Sequence, residues 1–274
     1  MMATEALRAG LGGHGEARTL ALDRGFQGLP DTAHGGSVLA AFDAAAGRAG
    51  PRTLRGDYFK RVPLGTPLAL RVAGGDGFTL LDGDATLVQG RVDDAAGGPD
   101  AGVEPPEPSA MPLPISRGCF ACGTDNALGL GALLRADDTA VGATWAARPG
   151  FRRADGTLAP LALITLLDEA AFWLGALATG EAGMTTALRV TLHAEVKADD
   201  TLTIAGDRAT VRAHADDARY WDTAIGARDS AGRVVATAAI TFVAVRGTAR
   251  RLATGMLAVN DAAILRRVFP AYVR

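Results

Sequence analysis

Residues 28–47 read GLPDTAHGGSVLAAFDAAAG. Gly28, Pro30, Asp31 and the pair Gly35-Gly36 make the opening turn-rich, and the small and apolar side chains that follow have the spacing of a buried helix. Gly50-Pro51 is expected to end it. Strand-like runs come next at 52–59, 67–72 and 85–92, separated by Gly and Asp turns. Residues 151–180, FRRADGTLAPLALITLLDEAAFWLGALATG, repeat the arrangement: a turn-rich lead into an apolar helix closed by Gly180. Strand candidates follow at 187–196, 202–211, 221–227 and 234–245, the last a continuous run of strand formers. A helix followed by a strand series, twice over, indicates an α+β repeat.

The wider chain agrees with two small domains. Of 274 residues, 48% are hydrophobic and 21% charged, which excludes bulk disorder. Six of the 13 prolines fall within 99–114, a segment unable to continue a helix or sit inside a sheet. The expected division is an N-terminal unit at 17–95, a Pro-rich linker at 96–114, a C-terminal unit at 115–246 and an accessory helical tail at 247–274. The net charge of −2 leaves no excess of basic residues for nucleic acid. The stretch 158–178 is almost wholly apolar and about the length of a membrane span, but Asp168 and Glu169 lie at its middle, so it reads as a buried helix. With no secretory signal at the start of the sequence, a soluble, cytoplasmic protein with no membrane partner is expected.

The motif around His34-Gly35-Gly36 and Asp43 resembles the central helix of hotdog-fold acyl-CoA thioesterases, specifically the phenylacetate-pathway type. Residues 119–131, CFACGTDNALGLG, resemble the opening of many hotdog proteins, and LLDEA at 166–170 resembles their helix. The resemblance covers about 20–95 and 115–245. It implies a double hotdog: two antiparallel curled sheets, each wrapped around a central helix, fused to reproduce the dimer that single-domain relatives form. It further implies a thioester hydrolase acting on an acyl-CoA or acyl-carrier thioester, as a monomeric double hotdog or a homodimer, with no cofactor.

The chemistry of that motif follows from helix physics. A helix N-terminus presents unpaired N–H groups and the positive end of its dipole, and glycines there let a thioester carbonyl approach. By the resemblance, the carboxylate that completes the site comes from the facing helix, as nucleophile or as general base. Overlaying the halves at their helix carboxylates aligns Asp43 with Asp168 and sets Gly35 opposite Pro160, which has no N–H to give. The two sites should therefore be unequal, the working one combining the Gly35 amide with Asp168 from the other half; Gly36 and Glu169, next to them, are the further candidates there. Simpler roles stay open: Gly35 and Gly36 as a packing turn, Asp168 and Glu169 as a structural pair meeting an Arg, Asp43 facing solvent or its mate, and His34 as an orienting or capping side chain. A non-catalytic acyl or aromatic ligand binder is the alternative function, and a hotdog dehydratase or hydratase a further one.

Three other candidates come from composition and position. Gln27 stands one place from where the family carries a polar helper. Trp173, beside Phe172, belongs either to the core or to an aromatic-lined acyl pocket. Arg55, Lys60 and Arg61 form either a nucleotide-phosphate contact or a solvated face. Cys119 and Cys122 are the chain's two cysteines, and a structural turn is expected there. A zinc site needs four ligands, and none of His14, His34, His193 and His214 stands at finger spacing, so no metal is expected.

Overall fold

The computed structural model describes residues 2–95 and 104–273. The first half contains α1 (Ala3–Ala9), β1 (Leu11–His14), β2 (Ala17–Leu20), the central helix α2 (Gly35–Ala46), β3 (Arg52–Tyr58), β4 (Leu68–Ala73), β5 (Gly77–Asp82) and β6 (Ala85–Asp94). The second contains β7 (Met111–Pro112), β8 (Arg135–Ala136), β9 (Ala140–Ala146), the central helix α3 (Pro160–Thr179), β10 (Gly183–Leu192), β11 (Thr201–Asp207), β12 (Arg212–Ala213), β13 (Tyr220–Arg228) and β14 (Val234–Ala244). Two short helices, α4 (Thr248–Met256) and α5 (Ala262–Val268), follow.

Strand order shows the repeat directly. The first half runs β2-β4-β5-β6-β3 and the second β9-β11-β13-β14-β10, so each pairs its strands in the same sequence relative to its helix. The half-sheets join edge to edge where β3 meets β10 antiparallel, Leu54 opposite Val190, making one continuous antiparallel sheet. Beside that seam the Thr53 and Thr191 hydroxyls share a hydrogen bond of 3.1 Å. This is a double hotdog, α+β, with its two central helices packed against each other.

Local chemistry sets the element ends. Gly47 and Gly180 follow α2 and α3 with φ of +64° and +67°, and each donates its N–H four residues back, to Asp43 and Ala176. The expected strand at 202–211 stops at Asp207, whose carboxylate accepts the Ala209 N–H and starts a 3-10 turn. Strand β9 gave little sequence signal because Gly142 lets it lie close to β11: a Cβ there would stand 2.0 Å from the Ile204 carbonyl oxygen. Helix α3 is long and apolar enough to cross a membrane, but 83% of its most apolar window is buried inside the protein.

Helix α1 and strand β1 precede residue 17, where the first unit was expected to begin. Residues 96–103 of the linker lie outside the described residues, and its later part supplies the edge strand β7. The tail forms two helices, the second capped by Asp261, which accepts the Ala263 N–H. Asn260 anchors the break through two hydrogen bonds with the backbone of Ile115.

Candidate active site

Both central helices start in the same register. His34, Gly35 and Gly36 are the cap and first two residues of α2, as Ala159, Pro160 and Leu161 are of α3. The chain packs the N-terminal end of α2 onto the middle of α3. A Cβ on Gly36 would stand 2.7 Å from the Thr165 Cα and 2.9 Å from the Ile164 oxygen, so glycine is required for the close approach. Asp168 lies one helical turn beyond Thr165 and meets the same helix end.

Asp168 is held on both oxygens. Gly36 donates its N–H to Oδ2 at 2.7 Å, and Thr185, on β10, donates its hydroxyl to Oδ1 at 2.7 Å. Thr185 precedes a register shift in β10, and such a bulge re-aims neighbouring side chains. Next to Gly36, a Cβ on Gly35 would come 2.8 Å from Oδ2, so only glycine leaves the carboxylate room. Tyr58 donates its hydroxyl to the Gly35 carbonyl at 2.7 Å and pins the first peptide of the helix. Burial, with Asp168 and Asp57 nearby, pushes the Tyr58 phenol well above its ordinary range, which keeps it a donor. Among the described residues no group accepts the Gly35 N–H, and a first-turn amide has no partner within its own helix.

Glu169 sits on the other side of His34. The imidazole Nδ1 is 3.1 Å from Asp168 Oδ2 and its Nε2 is 3.3 Å from Glu169 Oε2. Burial works against the charged ring, but hydrogen bonds to Asp168 and then Glu169 outweigh it and hold His34 well above its ordinary range. A proton on Nδ1 then faces Asp168, so the Gly36 N–H, 3.2 Å from that nitrogen, belongs to the closer carboxylate. Trp173 donates its indole N–H to Glu169 Oε1 at 3.0 Å. The two carboxylates therefore meet a histidine and a tryptophan; the arginine considered as their partner is absent from these contacts.

His34, Gly35, Asp168, Glu169 and Trp173 line one pocket of about 880 Å³, mouth included. Phe172, Met184, Leu252 and Met256 give it apolar walls, the last two coming from α4, so the tail helps build the site. Lys60 and Arg61 stand exposed along the same pocket. Arg55 instead faces Asp93 at 3.8 Å.

Three predicted residues are not in the pocket wall: Gly36, whose N–H is taken by Asp168, and Asp43 and Gln27, which lie away from it. Asp43 is buried against Arg52, which donates to its two oxygens at 2.5 and 2.7 Å, a structural ion pair. Gln27 is not among the lining residues; its backbone carbonyl accepts the Phe120 N–H and its side chain packs near Gly118. Thr185 and Tyr58 escaped the sequence reading, since neither belongs to a motif and both reach the site through strand pairing. Cys119 also lies beside Glu169, its thiol 4.0 Å from Oε2.

No family model matches the chain, and no curated protein matches its sequence. Solved structures do. An acyl-CoA thioesterase II TesB2 from Mycobacterium marinum is similar at TM-score 0.57 and 15% identity, over 89% of this chain and 98% of that one. A conserved protein of unknown function with a hot dog fold from Alicyclobacillus acidocaldarius is similar at 0.58 and 13%, over 89% and 97%. The GphF dehydratase is similar at 0.55 and 15%, over 85% and 95%. These likenesses establish the hotdog fold. Because the fold carries both thioesterases and a dehydratase, the site has to distinguish them.

Proposed function

We propose that this chain hydrolyses acyl thioesters of coenzyme A at a single composite site, with Asp168 from the second half and the α2 N-terminus from the first. The observation that carries the reading is the convergence of Asp168, the unpaired Gly35 N–H and an apolar-walled pocket. The thioester carbonyl would take the Gly35 N–H, in the field of the α2 N-terminus, which stabilises the oxyanion as it forms. Asp168 would draw a proton from a water held near Thr185, and that water's oxygen would bond to the carbonyl carbon. Collapse of the tetrahedral oxyanion breaks the C–S bond, and the proton goes to the departing thiolate, leaving a carboxylic acid and a thiol.

One feature favours this over dehydration, and a second leaves room for one site only. Both ring nitrogens of His34 face carboxylates, so the histidine has no free nitrogen to abstract a substrate proton. Pro160 removes the corresponding amide from the second helix, while Asp43 is consumed by Arg52, so the pseudo-equivalent position lacks both parts and one site is left. The pair Lys60 and Arg61 suits the phosphates of coenzyme A, and among the described residues neither is in an ion pair. Thiol release from a panel of short, long and aromatic acyl-CoAs tests the reading. Turnover abolished by Asp168→Asn and retained by Asp43→Asn supports it; binding of acyl-CoA with no thiol release across the panel favours a ligand-binding protein.

A further inference from the structure

We propose that the Nε2 side of His34 is a zinc-type metal site, formed with Cys119 and Glu169. Donor atoms of the three residues all lie within 4.8 Å of one another, and all three are buried. His34 Nε2 is 3.3 Å and Cys119 Sγ 4.0 Å from the same oxygen, Glu169 Oε2. Ordinary zinc bond lengths in a tetrahedron put nitrogen and oxygen ligands about 3.4 Å apart, and sulfur and oxygen ligands about 3.6 Å apart. A movement of a few tenths of an ångström brings Cys119 to that distance from Glu169, and the remaining pair, nitrogen and sulfur, lies within 4.8 Å against about 3.6 Å in such a tetrahedron.

The surroundings of each donor fit a ligand's role. A histidine bound through Nε2 is usually oriented by a carboxylate on Nδ1, and Asp168 occupies that place at 3.1 Å. Trp173 holds the other oxygen of Glu169, leaving Oε2 turned toward the site. Cys122, whose side chain meets that of Cys119, is the nearest candidate for a fourth donor. The turn between them is fixed by the Gly123 N–H bonding the Cys119 carbonyl at 2.9 Å, and a Cβ on Gly123 would collide with that carbonyl. A mixed nitrogen, sulfur and carboxylate set selects zinc or cobalt over magnesium or calcium. Binding exchanges the Cys119 thiol proton and any Nε2 proton, released to solvent, for the metal ion. The site lies on the opposite edge of the imidazole from Asp168, and the inference does not rest on the hydrolase reading.

The test is cobalt titration of the reduced, tag-free, chelator-stripped full chain. Expected is one saturating equivalent with intense visible bands of tetrahedral cobalt and a sulfur-to-cobalt charge-transfer band, all displaced by zinc. Cys119→Ser removes the charge-transfer band, or halves it where Cys122 supplies the fourth donor, and Glu169→Gln weakens cobalt binding about tenfold or more. Should Cys119→Ser fail to fold, alkylation of the wild-type chain replaces it: zinc must slow modification of Cys119, located by mass spectrometry. No saturable tetrahedral spectrum, a charge-transfer band unchanged by Cys119→Ser, or alkylation indifferent to zinc overturns the site.

Discussion

The Asp168 carboxylate, on the central helix of the second half, accepts the Gly36 amide of the first half's central helix at 2.7 Å. One contact thus joins the halves, caps α2 and places a carboxylate beside the first amide of that helix. A hydrogen bond to a charged group contributes about 1.5–3 kcal/mol, so this contact serves stability as well as the position of the carboxylate.

Asp168→Asn is expected to lower kcat by about 10²–10⁴, the span of general-base catalysis. Asp43→Asn leaves kcat within a few-fold but strands Arg52, and breaking such a buried pair costs about 3–5 kcal/mol. Thiol-release kinetics and urea unfolding on both variants separate the roles. Equal loss of activity in folded Asp43→Asn would refute the unequal sites.

The neighbouring glycines should part company. Gly35→Ala presses on a carboxylate oxygen, which can shift, so the variant folds and loses activity through a displaced Asp168. Gly36→Ala presses on the α3 backbone, which cannot shift cheaply, and overpacking of this kind costs about 1–3 kcal/mol. Melting curves beside activity assays distinguish the two.

Tyr58→Phe removes the hydroxyl that holds the Gly35 carbonyl. The expected cost is about 1 kcal/mol in stability, and kcat falls while KM is little changed, because the helix end loses its fixed orientation. A KM effect alone would show that Tyr58 touches substrate and does not position the amide.

Replacing Lys60 and Arg61 together by Ala should raise KM for acyl-CoA and leave the corresponding pantetheine thioester unaffected, since only coenzyme A carries the nucleotide phosphates. Added salt should reproduce the effect in the wild-type chain. Equal KM changes for both thioesters would remove the phosphate contact.

The motifs alone determined the repeat, both central helices, their shared register and the inequality of Gly35 and Pro160, because glycine, proline and apolar spacing act locally. The helix glycines and the Asp168 helix could therefore be picked out before any contact was known. Tertiary structure decided the rest. Thr185 and Tyr58 enter the site through strands paired across the halves, and Leu252 and Met256 through a tail distant in sequence. Asp43 and Asp168 hold equivalent places on equivalent helices, yet Arg52 neutralises one while an open helix end receives the other. Cys119, His34 and Glu169 come from three segments and share no spacing that a sequence could display. Local backbone preferences are written residue by residue; the meeting of a carboxylate with its partners depends on which surfaces the folded chain presses together.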